Sequence, residues 1–170
     1  MTGPDLNRLA PQDAVVALRS YPRRYAAELV GFDGDDTPDE LAVRIGPDGV
    51  SALQVVSDVT RTWGVLGGAL DQVLHHDDVV LHPAITDPRQ RHWDAAAPDT
   101  VDEALVLLGH EADALAGLVT GVLSASDWTR SGAVAGGGGT VTALDLVKDA
   151  VGAGADGLAT VRTVLAAVRR

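Results

Sequence analysis

The sequence predicts an all-α fold: a four-helix bundle with a broken first helix and a short extra helix. Three long segments repeat apolar residues in alternating steps of three and four, the spacing that lines up one face of a helix. Two Thr-x-x-Glu signals, at Thr37–Glu40 and Thr100–Glu103, mark helix starts. The chain has 170 residues, 46% of them hydrophobic, which suits one domain with one core spanning 1–170. No internal repeat and no second domain is read. Residues 1–10 are expected to be flexible.

The first helical stretch starts near Pro11. Pro22 cannot continue a preceding helix without a break but fits the first turn of a new one. The spacing therefore predicts a kinked or broken pair, roughly 11–20 and 22–32, with Tyr25, Leu29 and Val30 facing inward. The run Gly31-Phe32-Asp33-Gly34-Asp35-Asp36 ends it. Thr37 caps a short helix with Pro38 at its first position, and Gly46-Pro47-Asp48-Gly49 stops that helix.

A second long helix is predicted from about Ser51 to His76. Its seam is Ala52, Val56, Val59, Trp63, Leu66, Leu70 and Val73, sustained over about three heptads. Gly67-Gly68 in its middle costs roughly 1 kcal/mol per glycine against alanine, so a close helix neighbour is expected there. Residues 77–98 form a long connection carrying Pro83, Pro88, Pro98, His82, His92 and Trp93; such lengths are uncommon in compact domains. Thr100 opens a third long helix with seam residues Val101, Leu105, Leu108, Ala112, Leu115, Val119 and Val122, ending near Ser124. Asp127-Trp128-Thr129-Arg130 reads as a short turn and Gly136–Gly139 as a flexible loop. The last helix runs from about Thr140 to Val168 on Leu144, Val147, Val151, Gly154, Leu158, Val161, Leu165 and Val168. Gly154 falls within the seam, where a missing side chain lets a neighbouring backbone approach.

The formal charge is −11. Such a surface repels phosphate backbones and anionic headgroups, which argues against nucleic acid and membrane partners. No run of about 18 uncharged apolar residues is present, so no membrane span is expected. The start of the chain lacks the basic and apolar stretches of a signal peptide. With no cysteine there is no disulfide, thiolate metal site or cysteine nucleophile. A cytoplasmic protein is the expectation.

Four short motifs, in order, carry a resemblance over about residues 20–168. They are Tyr21-Pro22-Arg23-Arg24-Tyr25-Ala26-Ala27-Glu28-Leu29, Val50-Ser51-Ala52-Leu53-Gln54, Asp127-Trp128-Thr129-Arg130-Ser131-Gly132 and Thr140-Val141-Thr142-Ala143-Leu144-Asp145-Leu146. Together they resemble actinobacterial DinB-like proteins, the superfamily of mycothiol-dependent maleylpyruvate isomerases and of bacillithiol or mycothiol S-transferases. The resemblance implies a divalent ion, often nickel or zinc, held by one histidine on the second helix and two on the last. Here those three positions fall on Asp58, Gly152 and Asp156. Residues four apart share a helix face, so two imidazoles so placed can share one ion. Gly152 has no side chain to ligate with. Asp58 and Asp156 with water could hold Mg²⁺ or Mn²⁺ weakly; the plainer reading leaves both solvated or hydrogen-bonded at a vestigial cleft. Both carboxylates are expected to converge on one hollow between their helices.

Other candidates are weaker. His75, His76, Asp77, Asp78 and His82 resemble chelators by composition, but adjacent histidines point about 100° apart on a helix, and at a C-terminus they complement the dipole. Asp145, Asp149 and Asp156 form an acidic face, usually just wet. His110 lies opposite the third helix's seam and is expected to be exposed. Trp63 reads as core; Trp93 and Trp128 could line a pocket or pack against bundle ends. No Glu-x-x-His element, phosphate loop or nucleophile elbow is found.

Two readings follow. One is a DinB-like fold without catalysis, a binding or dimerising protein whose cleft outlives its metal, with a small-molecule ligand or a homodimer as partner and no resident cofactor. The alternative is a metal-dependent thiol S-transferase, isomerase or hydrolase using a low-molecular-weight thiol, with Asp58 and Asp156 holding a harder ion. The first is favoured, because losing three imidazoles removes the nitrogen ligands that the chemistry needs.

Overall fold

A computed structural model describes residues 9–31, 36–91, 98–122 and 124–169. The expectations for residues 1–8, Phe32–Asp35, His92 and Trp93 lie outside the described residues. The fold is mostly helical. Its helices are α1 (Pro11–Val30), α2 (Pro38–Val43), α3 (Ala52–His75), α4 (Val101–Thr120), α5 (Ala125–Thr129) and α6 (Ala143–Val168). α1 and α3 each pack against both α4 and α6. The inward faces of these four long helices make one continuous apolar core. All seven seam positions of α3 are buried, as are those of α6 except Leu144 and Val168 near its ends.

Sequence punctuation sets most helix starts. Thr37, Ser51, Ser124 and Thr142 each accept a bond from the backbone N–H three residues on, and Glu40, Gln54, Asp127 and Asp145 return one to the cap's own N–H. At α4 the Thr100 hydroxyl accepts from the Glu103 N–H, but the Glu103 carboxylate reaches back to the Asp99 N–H instead. Asp39 of α2 accepts the Val101 N–H at 2.7 Å, so an orphan donor of α4 is satisfied by another helix.

Several expectations change. α1 is one continuous helix with Pro22 inside it, not a broken pair. Proline removes one helical hydrogen bond and crowds the preceding turn, at a cost of about 3 kcal/mol. The buried Tyr21 and Tyr25, on either side, anchor the helix to α6 and work against that cost. Their hydroxyls donate to the Val151 and Gly154 carbonyls, each at 3.0 Å. Val30 points to solvent rather than inward. α4 stops at Thr120, and Ser124 caps α5 where a turn was expected. Gly67 is in ordinary contact with Leu115, and no side chain or backbone lies near where a Cβ of Gly68 would be. The groups that crowd Gly154 are the rings of Tyr21 and Trp63, not a backbone.

The two long connections also hold a small sheet. β1 (Val80–Leu81) pairs in parallel with β2 (Ser131–Val134), and β2 pairs antiparallel with β3 (Thr140–Thr142). Thr140 therefore belongs to a strand and α6 begins at Ala143. Between β2 and β3, Gly136, Gly137 and Gly139 hold φ of 76°, 85° and 84°, a left-handed backbone that favours glycine.

Among the described residues, α6 is the one helix long and apolar enough to cross a membrane by length and composition. In the fold one side of it is buried in the core, and Asp149, Asp156 and Arg162 lie exposed on the other.

The Asp-Trp-Thr-Arg segment acts on α3. Trp128 is half-buried against the core. Arg130 Nε donates to the Val73 carbonyl at 2.8 Å, and its terminal nitrogen to the His76 carbonyl and to Asp77, both at 3.0 Å. The Arg130 carbonyl accepts the Ala143 N–H at the start of α6. A cation thus caps the end of α3 where carbonyls are unpaired. Arg130→Ala is expected to cost about 1–3 kcal/mol in urea unfolding, and Arg130→Lys to recover only part of it, because an ammonium cannot bridge both carbonyls as the planar fork does. An unchanged midpoint for Arg130→Ala would remove the cap from the account of this helix.

Candidate functional site

The site lies where α3 meets the connection that follows it. Two 3₁₀ turns, Pro83–Ile85 and Pro88–Arg91, lie in that connection. His82 Nδ1 accepts the Ala84 N–H at 3.1 Å, and Asp87 accepts the Arg89 N–H at 3.0 Å, so each turn is started by a side-chain acceptor. Arg91 closes the segment onto α3. Its Nε donates to the Ala84 carbonyl (2.8 Å), and its two terminal nitrogens to the Ile85 carbonyl (2.9 Å) and Thr62 Oγ1 (3.3 Å).

A hollow of about 220 Å³ opens beside this anchor, lined by Asp58, Arg61, Thr62, Pro88, Arg89 and Arg91. Arg61, one helical turn after Asp58, approaches its carboxylate to 3.3 Å. The Asp58 side chain is 61% exposed and that of Arg61 only 22%. Arg89 is an exposed rim residue, 3.8 Å from Asp87. Desolvation lowers the Arg91 pKa, and the carboxylates of Asp149 and Asp87 oppose that shift. Arginine stays charged across the range in which proteins work. On α6, partial desolvation of the surface residue Asp149 raises its pKa, the Asp145 charge adds to this, and Arg91 opposes it. Asp145 itself is held below the usual carboxylate range by the Thr142 hydroxyl and N–H.

Of the three positions taken from the resemblance, Asp58 lines this hollow and faces arginines. Gly152 is half-buried on α6, and Asp156 is exposed on α6, outside the hollow's lining. The Asp156 charge is felt instead at Tyr21 and Tyr25 of α1. Among the described residues, no group of three or more His, Asp or Glu is placed to hold a metal ion. The donor set fits such an ion poorly: the Asp58 carboxylate is paired with Arg61 and shares its hollow with Arg89 and Arg91, and Gly152, four residues before Asp156 on α6, has no side chain to offer.

The other expected candidates take local roles. His75 Nδ1 lies 3.0 Å from Asp71, one turn earlier on α3. His76 is the C-cap residue of that helix. His110 is exposed, 4.0 Å from Glu111. Trp63 is fully buried.

Arg61, Thr62, Arg89 and Arg91 were not singled out by sequence reasoning. A signal was available: Asp58 and Arg61 stand three apart, and Pro88-Arg89-Gln90-Arg91 places two cations in a connection of a strongly acidic chain.

No protein-family model matches the chain, and no curated protein matches it significantly.

Proposed function

We propose that this chain is a cytoplasmic, DinB-like four-helix bundle that binds a small molecule in its α3-side cleft without a resident metal and without thiol-transfer catalysis. The mutual packing of α1 and α3 with α4 and α6 supports the bundle. One observation carries the functional reading: at the position where the resemblance asks for a metal ligand, the Asp58 carboxylate is engaged by Arg61 at the edge of a basic hollow. A cation entering there would have to break that pair and face two further guanidinium groups, and it would gain few donors in return. Binding is favoured over dimerisation because the feature is concave and carries charged groups that recognise a ligand.

The test is metal analysis of protein purified without a histidine tag, followed by thermal melts with Ni²⁺, Zn²⁺ and Mn²⁺. A ligand that binds only the native state raises the melting temperature. No ion is expected to do so. A rise with Mn²⁺ that Asp58→Ala abolishes would overturn this reading in favour of a metal-dependent enzyme. The kinship has its own arm. Asp58→His, Gly152→His and Asp156→His together are expected to create a nickel or zinc site; a folded triple variant that binds neither would remove the DinB-like placement.

A further inference from the structure

We propose that the hollow beside α3 is an anion site that takes the carboxylate or phosphate group of a small metabolite. This inference rests on reading the cleft as a metal-free binding site and names the ligand class for it. The chain carries a formal charge of −11, so its overall field repels anions. The hollow's own lining departs from that balance: Arg61, Arg89 and Arg91 line it with one carboxylate, Asp58, while Asp87 lies 3.8 Å from Arg89 and the Asp149 charge acts on Arg91 from outside the lining.

The guanidinium groups come from two elements and are unequally mobile. Arg91 is held by three hydrogen bonds, to Ala84, Ile85 and Thr62, and so presents its charge at little further entropic cost. Arg61 is mostly buried on a rigid helix, where its charge is less screened by solvent. Arg89, 94% exposed, stands at the rim and can close over a guest. Planar guanidinium forks match the paired oxygens of carboxylate and phosphate. The volume, about 220 Å³, lies below the roughly 300 Å³ at the small end of drug-sized pockets. It suits a short acid or a phosphate group rather than a large cofactor. Asp58 occupies the position of a competitor, since its carboxylate satisfies Arg61 as the guest's would.

The probes are inorganic phosphate and succinate, titrated in the presence of EDTA at constant ionic strength and read by calorimetry and by melting temperature. A saturable rise with at least one probe is expected. A response to phosphate alone assigns phosphate esters, a response to succinate alone assigns carboxylic acids, and a response to both assigns the shared oxyanion chemistry. Arg89→Gln is expected to weaken binding about tenfold, the loss of one charge-assisted contact. Asp58→Asn is expected to tighten it several-fold, while Asp71→Asn, the same charge change elsewhere on α3, leaves it within about twofold. No saturable response to either probe overturns the proposal, as does an affinity that ignores both Arg89→Gln and Asp58→Asn. Because EDTA removes metals, these failures are separate from that of the metal-free reading, which falls only on an Asp58-dependent ion response.

Discussion

Raising the pH past the ordinary tyrosine value is expected to unfold this protein through two hydroxyls. Tyr21 and Tyr25 are the chain's only tyrosines. Both are buried, 1% and 0% exposed. Burial pushes each pKa up, and the Asp156 charge adds to the shift at both, while Arg24 opposes it. In the unfolded chain both phenols ionise near pH 10; in the native state they hold their protons to higher pH. The unfolded state therefore binds fewer protons above about pH 10, and stability falls as pH rises. It is fully present below the unfolded value and is lost on the way up through the folded one. Where the native tyrosines stay neutral, the two together approach about 2.7 kcal/mol lost per pH unit. The chain has no cysteine and only one lysine, Lys148, so few other groups compete for this signal. Urea midpoints measured across pH about 8 to 11.5 should drop steeply for the natural chain. The Tyr21→Phe, Tyr25→Phe double variant should start lower, having lost two buried hydrogen bonds worth about 0.5–1.5 kcal/mol each, and then show a much flatter alkaline limb. Equal slopes in the two proteins would mean that the phenols ionise in place.

The parts of this molecule legible in the sequence were those whose cause is local. The alternation on α3 names its buried face because a helix presents every third or fourth residue to the same neighbour. Thr37 and Thr100 announce helices because the bond each makes is three residues away. What could not be read depends on distant partners. Pro22 looks like a break until Tyr21 and Tyr25 find carbonyls on α6, some 130 residues on. Arg130 looks like turn punctuation until it reaches Val73 and His76. β1 spans only two residues, Val80 and Leu81, too few for any period to show. At the candidate site the resemblance directed attention to Asp58, and the residues that give Asp58 its surroundings were missed. Arg61 was visible three positions away; Arg91 matters only because a 3₁₀ turn returns it to Thr62.

Gly154→Ala and Gly68→Ala are expected to move stability in opposite directions, although the two substitutions are chemically identical. Both glycines lie inside long helices, Gly154 in α6 and Gly68 in α3, and neither has the positive φ that would strain alanine. On helix propensity alone each change should stabilise by up to about 1 kcal/mol. At Gly68 nothing stands within 4 Å of the added carbon, so that gain should appear in full. At Gly154 the carbon would lie 2.7 Å and 2.8 Å from Tyr21 ring atoms and 2.9 Å from Trp63 Cζ2. Those rings cannot swing aside. They pack against each other with centroids 5.9 Å apart, and Trp63 Nε1 donates to the Ala150 carbonyl at 2.8 Å. Making room requires α6 to back away, which stretches the three bonds that Tyr21, Tyr25 and Trp63 make to it. Overpacking of this kind costs about 1–3 kcal/mol, enough to overturn the propensity gain and lower the melting temperature by a few degrees in a chain of this size. Urea titration of the two single variants decides the matter. If Gly154→Ala proves as stabilising as Gly68→Ala, the rings are not seated against α6 and the contact that joins α1 and α3 to the last helix is drawn wrongly.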